Sequence, residues 1–230
     1  MAKAKSLDDF QCDFCKKSFK QERTLLNHSC EKKRRWLYKD EKYSRMAFHA
    51  FQKFYSLAMR SRKTKTIEDF INSHYYLSFV KFGKHLISVN ALEPDGFIEF
   101  LIKAEVKITD WSADWAYETW IRELSKKESP ERAITRSIQL MEQWSREYNE
   151  PWQDFLTKVT PSQATQYIKS GRLSPWLLYT GQGHLLFDRM TDEQLSLVKE
   201  WISPVYWNMK IRDHREDVDL MRQLLKESGL

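Results

Sequence analysis

Apolar side chains recur at helical spacing along most of the chain, and the alternation that marks a half-buried strand is rare. The clearest stretch lies between residues 42 and 58. There Tyr43, Ala47, Ala50, Phe51, Phe54, Tyr55 and Ala58 share one face, and Lys42, Arg45, His49, Lys53, Ser56 and Arg60 lie opposite. Thr66 opens a further helix that the pattern carries to residue 88, and Pro94 stands in the first turn of the next. Thr109 reads as the N-cap of a helix over residues 110–127, and Ser129 with Pro130 as the start of one over 130–148. Thr160 and Pro161 repeat that device, with Gly171 as the stop. Thr191 caps a helix that ends near residue 203, and residues 217–228 form the last. The turn from Thr180 to His184 joins two helical stretches. The expected fold class is all-α, a helical single-core body behind a small N-terminal module.

Composition supports a folded chain, since 41% of the residues are hydrophobic. No apolar run approaches the ~20 residues of a membrane span, and the first ten residues lack the apolar segment of a secretory signal. We therefore expect an intracellular protein with no membrane partner. Charge changes the picture by region. Residues 1–65 carry 18 Lys+Arg against 7 Asp+Glu, whereas residues 66–230 carry 20 against 25. Between Lys42 and Ile67 there is no acidic residue at all. A basic front on a mildly acidic body points to a polyanionic partner for the front, DNA or RNA, held through phosphates. The plainer alternative is a solvated helix face.

The three cysteines, Cys12, Cys15 and Cys30, lie in one short window with His28, which argues for a metal rather than a disulfide framework. The spacing is Cys-x2-Cys-x12-His-x-Cys. Phe19 and Leu25 stand four and ten residues after Cys15, where a domain almost without a core needs an aromatic and a leucine beneath the ion. Over residues 10–31 the chain resembles the C2H2 zinc-finger family, in a C2HC variant. Cys30 departs from that pattern. On a continuous α-helix it lies about 200° from His28, so the helix must end or tighten near His28 for both to face one ion. A short helix from about residue 22 to residue 27 is predicted. Three thiolates and one imidazole suit Zn2+, and four protein ligands leave no open position, so the zinc is expected to be structural. The finger family's helix register puts Gln21, Thr24 and Asn27, with Arg23 beside them, at the base-facing positions. Lys32, Lys33, Arg34, Arg35, Lys42, Arg45, Lys53 and Arg60 supply phosphate-binding charge.

Catalytic signals are weak. There is no phosphate loop, zinc-protease motif or nucleophile elbow. Asp95, Glu105 and Lys107 have the letters of the PD-(D/E)xK nucleases, whose chemistry requires adjacent strands, while the pattern here is helical. Asp110, Asp114 and Glu118 would share one helix face, more simply as a solvated one. Trp111, Trp115, Trp144, Trp152, Trp176, Trp201 and Trp207 read as core anchors. Trp36, beside the basic run, is the one tryptophan suited to stacking on a single strand.

With its single finger, the run HSCEKKRRW, and the segments HYYLSFVKFGKHL and GRLSPWLLY, the whole chain resembles uncharacterised zinc-finger proteins of large tailed phages of the T4 type. That resemblance implies a setting rather than an activity. The expected division is a finger and basic run (1–35), a basic amphipathic helix (36–65) and an all-α domain (66–230) that docks a protein partner. The expected role is a nucleic-acid-binding accessory in replication, transcription or packaging, in the host cytoplasm. A virion or assembly protein using the finger as a protein-contact clip is the first alternative, and a Mg-dependent nuclease the second.

Overall fold

The computed structural model describes residues 10–60 and 62–228. Among them are fifteen α-helices, two short 3-10 turns and one two-stranded sheet. The chain divides into two compact units, one ending at Ser112 and the other beginning at Ala113. The boundary thus falls inside what the sequence pattern reads as one body.

The first unit opens with β1 (Phe10–Gln11) and β2 (Ser18–Phe19), paired antiparallel with Phe10 opposite Phe19. Three short or mid-length helices follow, α1 (Glu22–Leu26), α2 (Glu31–Leu37) and α3 (Lys42–Leu57). Then come α4 (Ile67–Ile71), α5 (Tyr76–Ser88) and α6 (Pro94–Lys103). The segment expected as one helix to residue 88 is two. Asn72 ends α4, and the Tyr75 backbone N–H donates to the Ser73 hydroxyl at 3.1 Å, a local bond that competes with the helix. At the start of α4 the Thr66 hydroxyl and the Asp69 carboxylate form a reciprocal capping box.

The core of this unit is aromatic. Phe51 of α3, Phe70 of α4 and Phe79 of α5 meet ring to ring, and Trp111 lies edge-on to Phe54, Phe79 and Phe82. The Trp111 indole N–H donates to the Val106 carbonyl. Helices α3 and α5 approach closely because Gly83 of α5 has no side chain. A Cβ there would stand 2.2 Å from the Tyr43 carbonyl oxygen and 3.0 Å from the Ala47 nitrogen.

The second unit comprises α7 (Asp114–Lys127), α8 (Pro130–Tyr148), α9 (Phe155–Lys158), α10 (Pro161–Lys169), α11 (Pro175–Thr180), α12 (His184–Phe187), α13 (Asp192–Ile202), α14 (Pro204–Asp213) and α15 (Arg215–Glu227). Thr109 does not cap α7. It lies in the 3-10 turn Ile108–Asp110, and α7 begins at Asp114. Asp110, Asp114 and Glu118 consequently do not line one helix. Thr160 and Thr191 do form capping boxes, with Gln163 and Gln194. Trp176 and Trp207 pack edge to face in the core, whereas Trp115 is exposed rather than an anchor. Around Glu128, whose side chain is 1% exposed, Arg136 pairs at 2.5 Å and the Ser174 hydroxyl donates at 3.0 Å. The Ser174 N–H in turn donates to Ser137 of α8, which ties α11 to α8 through a buried polar cluster.

Candidate metal centre and basic surface

The turn between β1 and β2 carries Cys12 and Cys15. It is closed by the Cys12 N–H donating to the Lys17 carbonyl and the Lys16 N–H donating to the Cys12 carbonyl, with Lys16 in the left-handed region at φ 60°. Helix α1 then stops after five residues. Asn27 caps it, and the His28 N–H bonds back three residues to Leu25, which tightens the exit and frees the chain to turn. Cys30 follows in extended backbone (φ −85°, ψ 162°) as the N-cap of α2, its sulfur accepting from the Lys33 N–H at 3.4 Å. One residue thus faces the cluster and starts the basic helix.

The outcome is a group of four donors. Cys12 Sγ lies 4.0 Å from Cys30 Sγ, and Cys15 Sγ lies 3.2 Å from His28 Nε2. All four donor atoms lie within 4.8 Å of one another. Tetrahedral zinc with sulfur and nitrogen ligands would space its donors by roughly 3.5–3.8 Å, inside that range. All three cysteines are free. The cluster can hold a metal ion. Phe19 packs against the His28 ring with centroids 4.7 Å apart, the small core this segment requires. The Cys15 N–H donates to the Cys12 sulfur and, helped by that of Phe14, outweighs burial and holds the Cys12 thiol below its ordinary value. At Cys15 the Lys17 N–H acts in the same sense, but burial and the neighbouring Cys12 and Cys30 prevail and raise it. Adjacent thiolates repel one another, a repulsion that a cation relieves.

The proposed base-reading positions surround α1. Gln21 is its N-cap, Arg23 and Thr24 lie on it, Asn27 ends it, and all four are exposed. Of the basic residues, Lys32 and Arg34 on α2, Lys42 and Arg45 at the start of α3, and Arg60 beyond its end are exposed. The rest serve the fold. Lys33 Nζ donates to the His28 carbonyl. Arg35 donates to the Ile71 carbonyl at 2.7 Å, pairs with Glu31, and sits 4.3 Å from the Tyr76 ring centroid. It is a strut from α2 to α4 and α5.

The stripe along α3 is therefore interrupted. Lys53 pairs with Glu99 at 2.6 Å and with Asp95 at 3.5 Å, and His49 meets Asp95 at 2.5 Å. Helix α6 supplies these acids, so the middle of α3 presents neutralised charge, and Lys53 and Arg35 are not open phosphate ligands. The same contacts occupy Asp95 of the nuclease-like letters. Asp95 stands in helix α6, Glu105 and Lys107 lie beyond its end, and the only sheet among the described residues is β1–β2.

The sequence gives no sign of a cavity of about 650 Å³ in the second unit, lined by Trp201, Tyr206 and Trp207. Arg122 and Lys126 in its lining pair with Glu200 and Glu123, and Lys199 also lines it. No helix among the described residues is long and apolar enough to cross a membrane. Comparison with family models, curated proteins and solved structures finds no match for the chain.

Proposed function

We propose that the first unit is a zinc-stabilised nucleic-acid-binding module, and that the protein is an accessory factor acting on DNA or RNA through phosphates. One observation carries this. Cys30 is at once a member of the metal cluster and the N-cap of the helix that bears Lys32 and Arg34, so an ion would fix where that charge points. Zinc is the ion of choice for three sulfurs and one imidazole, and with four protein donors its role is to hold shape. The exposed set is Arg23, Lys32, Arg34, Lys42, Arg45 and Arg60, with Gln21, Thr24 and Asn27 available to base edges. A place in replication, transcription or packaging is part of this proposal.

A second reading has its own support. Leu26, Leu37 and Tyr38 are 70%, 65% and 52% exposed beside the cluster, and an apolar surface favours protein contact, as in an assembly clip. A mobility-shift assay on the full chain, at two salt concentrations and with zinc present or chelated, separates the two. Nucleic-acid binding predicts retention at low salt that weakens in Arg34→Glu. Absence of retention at low salt with zinc present overturns it in favour of the clip.

A further inference from the structure

Between the metal-bearing turn and helices α2 and α4 lies an open groove of about 600 Å³, within the range of ordinary ligand sites. Phe14 and Trp36 form its aromatic wall, with ring centroids 6.2 Å apart and planes inclined at 49°. Lys16 and Lys32 line it together with Asp13, and Asn72 and Glu68 of the α4 end supply further polar groups. Lys39 places its ammonium 5.2 Å from the Trp36 centroid.

We infer that this groove takes an unstacked nucleobase, so that the module prefers single-stranded nucleic acid to duplex. The inference rests on the nucleic-acid reading above and narrows its substrate. In a duplex both faces of each base are covered by neighbours, so only a base out of the stack can lie on an aromatic ring. Phosphates alone need no aromatic wall. Here the wall adjoins Lys16 and Lys32, balanced at the groove by Asp13 and Glu68, and it is the wider charge of residues 1–65, 18 basic against 7 acidic side chains, that draws in a polyanion rather than a neutral ligand. The Asn72 amide nitrogen donates to the Glu68 carbonyl at 2.9 Å, which leaves its second N–H, its Oδ1 and the Glu68 carboxylate for a base edge. The shared ligand chemistry is a base on a flexible sugar-phosphate strand, from DNA or from RNA.

The test is fluorescence anisotropy with the zinc-loaded full chain and four labelled probes: oligo-dT, oligo-U, an abasic oligomer with the same number of phosphates, and a duplex. The expected order places both base-bearing single strands above the abasic strand and the duplex, and the stronger of oligo-dT and oligo-U identifies the sugar. Trp36→Ala should lower base-bearing affinity about ten-fold, consistent with the loss of one stacked base, while leaving the abasic affinity and the salt slope unchanged. Trp36→Phe should retain most of the binding. Because Trp36 is half-buried, 5-iodouracil photocrosslinking on the unmutated protein gives a second readout, with adducts expected at Trp36 or Phe14. Equal binding of abasic and base-bearing strands, or crosslinks confined to residues outside the groove, would overturn the groove assignment while leaving phosphate binding intact. Failure to bind any of the four probes at low salt would overturn the underlying nucleic-acid reading as well.

Discussion

Cys30 shows most clearly how one side chain can join a candidate metal site to a surface. Its sulfur faces Cys12 and accepts from Lys33. Cys30→Ser would keep an N-cap acceptor but lose the thiolate. We expect that variant to release its metal on dialysis, read as loss of bound zinc by atomic absorption, while circular dichroism from the rest of the chain is preserved. Retention of full zinc occupancy would remove Cys30 from the ligand set. The four-donor cluster was legible in the sequence because three of its members keep the local Cys-x2-Cys-x12-His spacing that small zinc sites use. The double role of Cys30 was not, because a thiol seldom reads as a cap. Nor was the role of Arg35, whose partners Ile71 and Tyr76 lie far along the chain and appear only once α2 packs. Glu128 belongs to the same scale. Removing its carboxylate with Glu128→Ala would leave Arg136 unpaired and Ser174 without its acceptor, with an expected loss of about 3–5 kcal/mol in denaturant unfolding. A variant as stable as the parent would show that the pair is dispensable.

Helix starts were readable where the cap is made within a few residues, as in the boxes of Thr66 with Asp69, Thr160 with Gln163 and Thr191 with Gln194. They failed where a longer-range preference wins. The expected cap at Thr109 yields to a 3-10 turn that leads Trp111 into the aromatic core. The α3 surface failed for a similar reason. Asp95 and Glu99 stand more than forty residues from the cations they neutralise, so periodicity on α3 alone could not reveal them. The His49 ring, then Lys53, hold the Asp95 carboxyl below its usual value. Since the folded value is the lower one, the stabilisation is fully present above the ordinary carboxylate range and fades as pH falls through the depressed value. Asp95→Asn should therefore cost up to about 1 kcal/mol near neutrality, less in high salt, and nothing once the carboxylate is protonated in the parent. Matched unfolding curves at neutral and strongly acidic pH check the sign. At the α3–α5 crossing, Gly83→Ala should cost roughly 1–3 kcal/mol, because the new methyl meets backbone atoms that cannot rotate away. Thermal melting reads this directly, and an unchanged midpoint would mean that the two helices are less closely packed than 2.2 Å implies.

For the whole molecule, helical class followed from periodicity, but the division at Ser112 did not. Each unit encloses its own aromatic core, and composition is blind to which phenylalanines share one. The division redistributes charge. Residues 1–112 carry 22 Lys+Arg against 14 Asp+Glu, while residues 113–230 carry 16 against 18. A polyanion should therefore engage the first unit, and metal removal should be felt there alone. If an ion joins Cys12, Cys15, His28 and Cys30, chelation removes it, and a segment with so small a core should not persist without it. The core of α3, α5 and α6 contains none of these ligands and should survive. Hydrogen exchange with and without a chelator should show protection lost from residue 12 to about residue 33, kept across α3 and α5, and unchanged from α7 to α15. On the proposed nucleic-acid function, the exposed cations on α3 stay in place, so affinity should fall rather than vanish, and its salt slope should shrink if α1 and α2 contribute contacts. Uniform loss of protection in both units would show that the ion supports the whole chain. No change anywhere would show that the four donors hold their positions without a metal, and the zinc assignment would then fail.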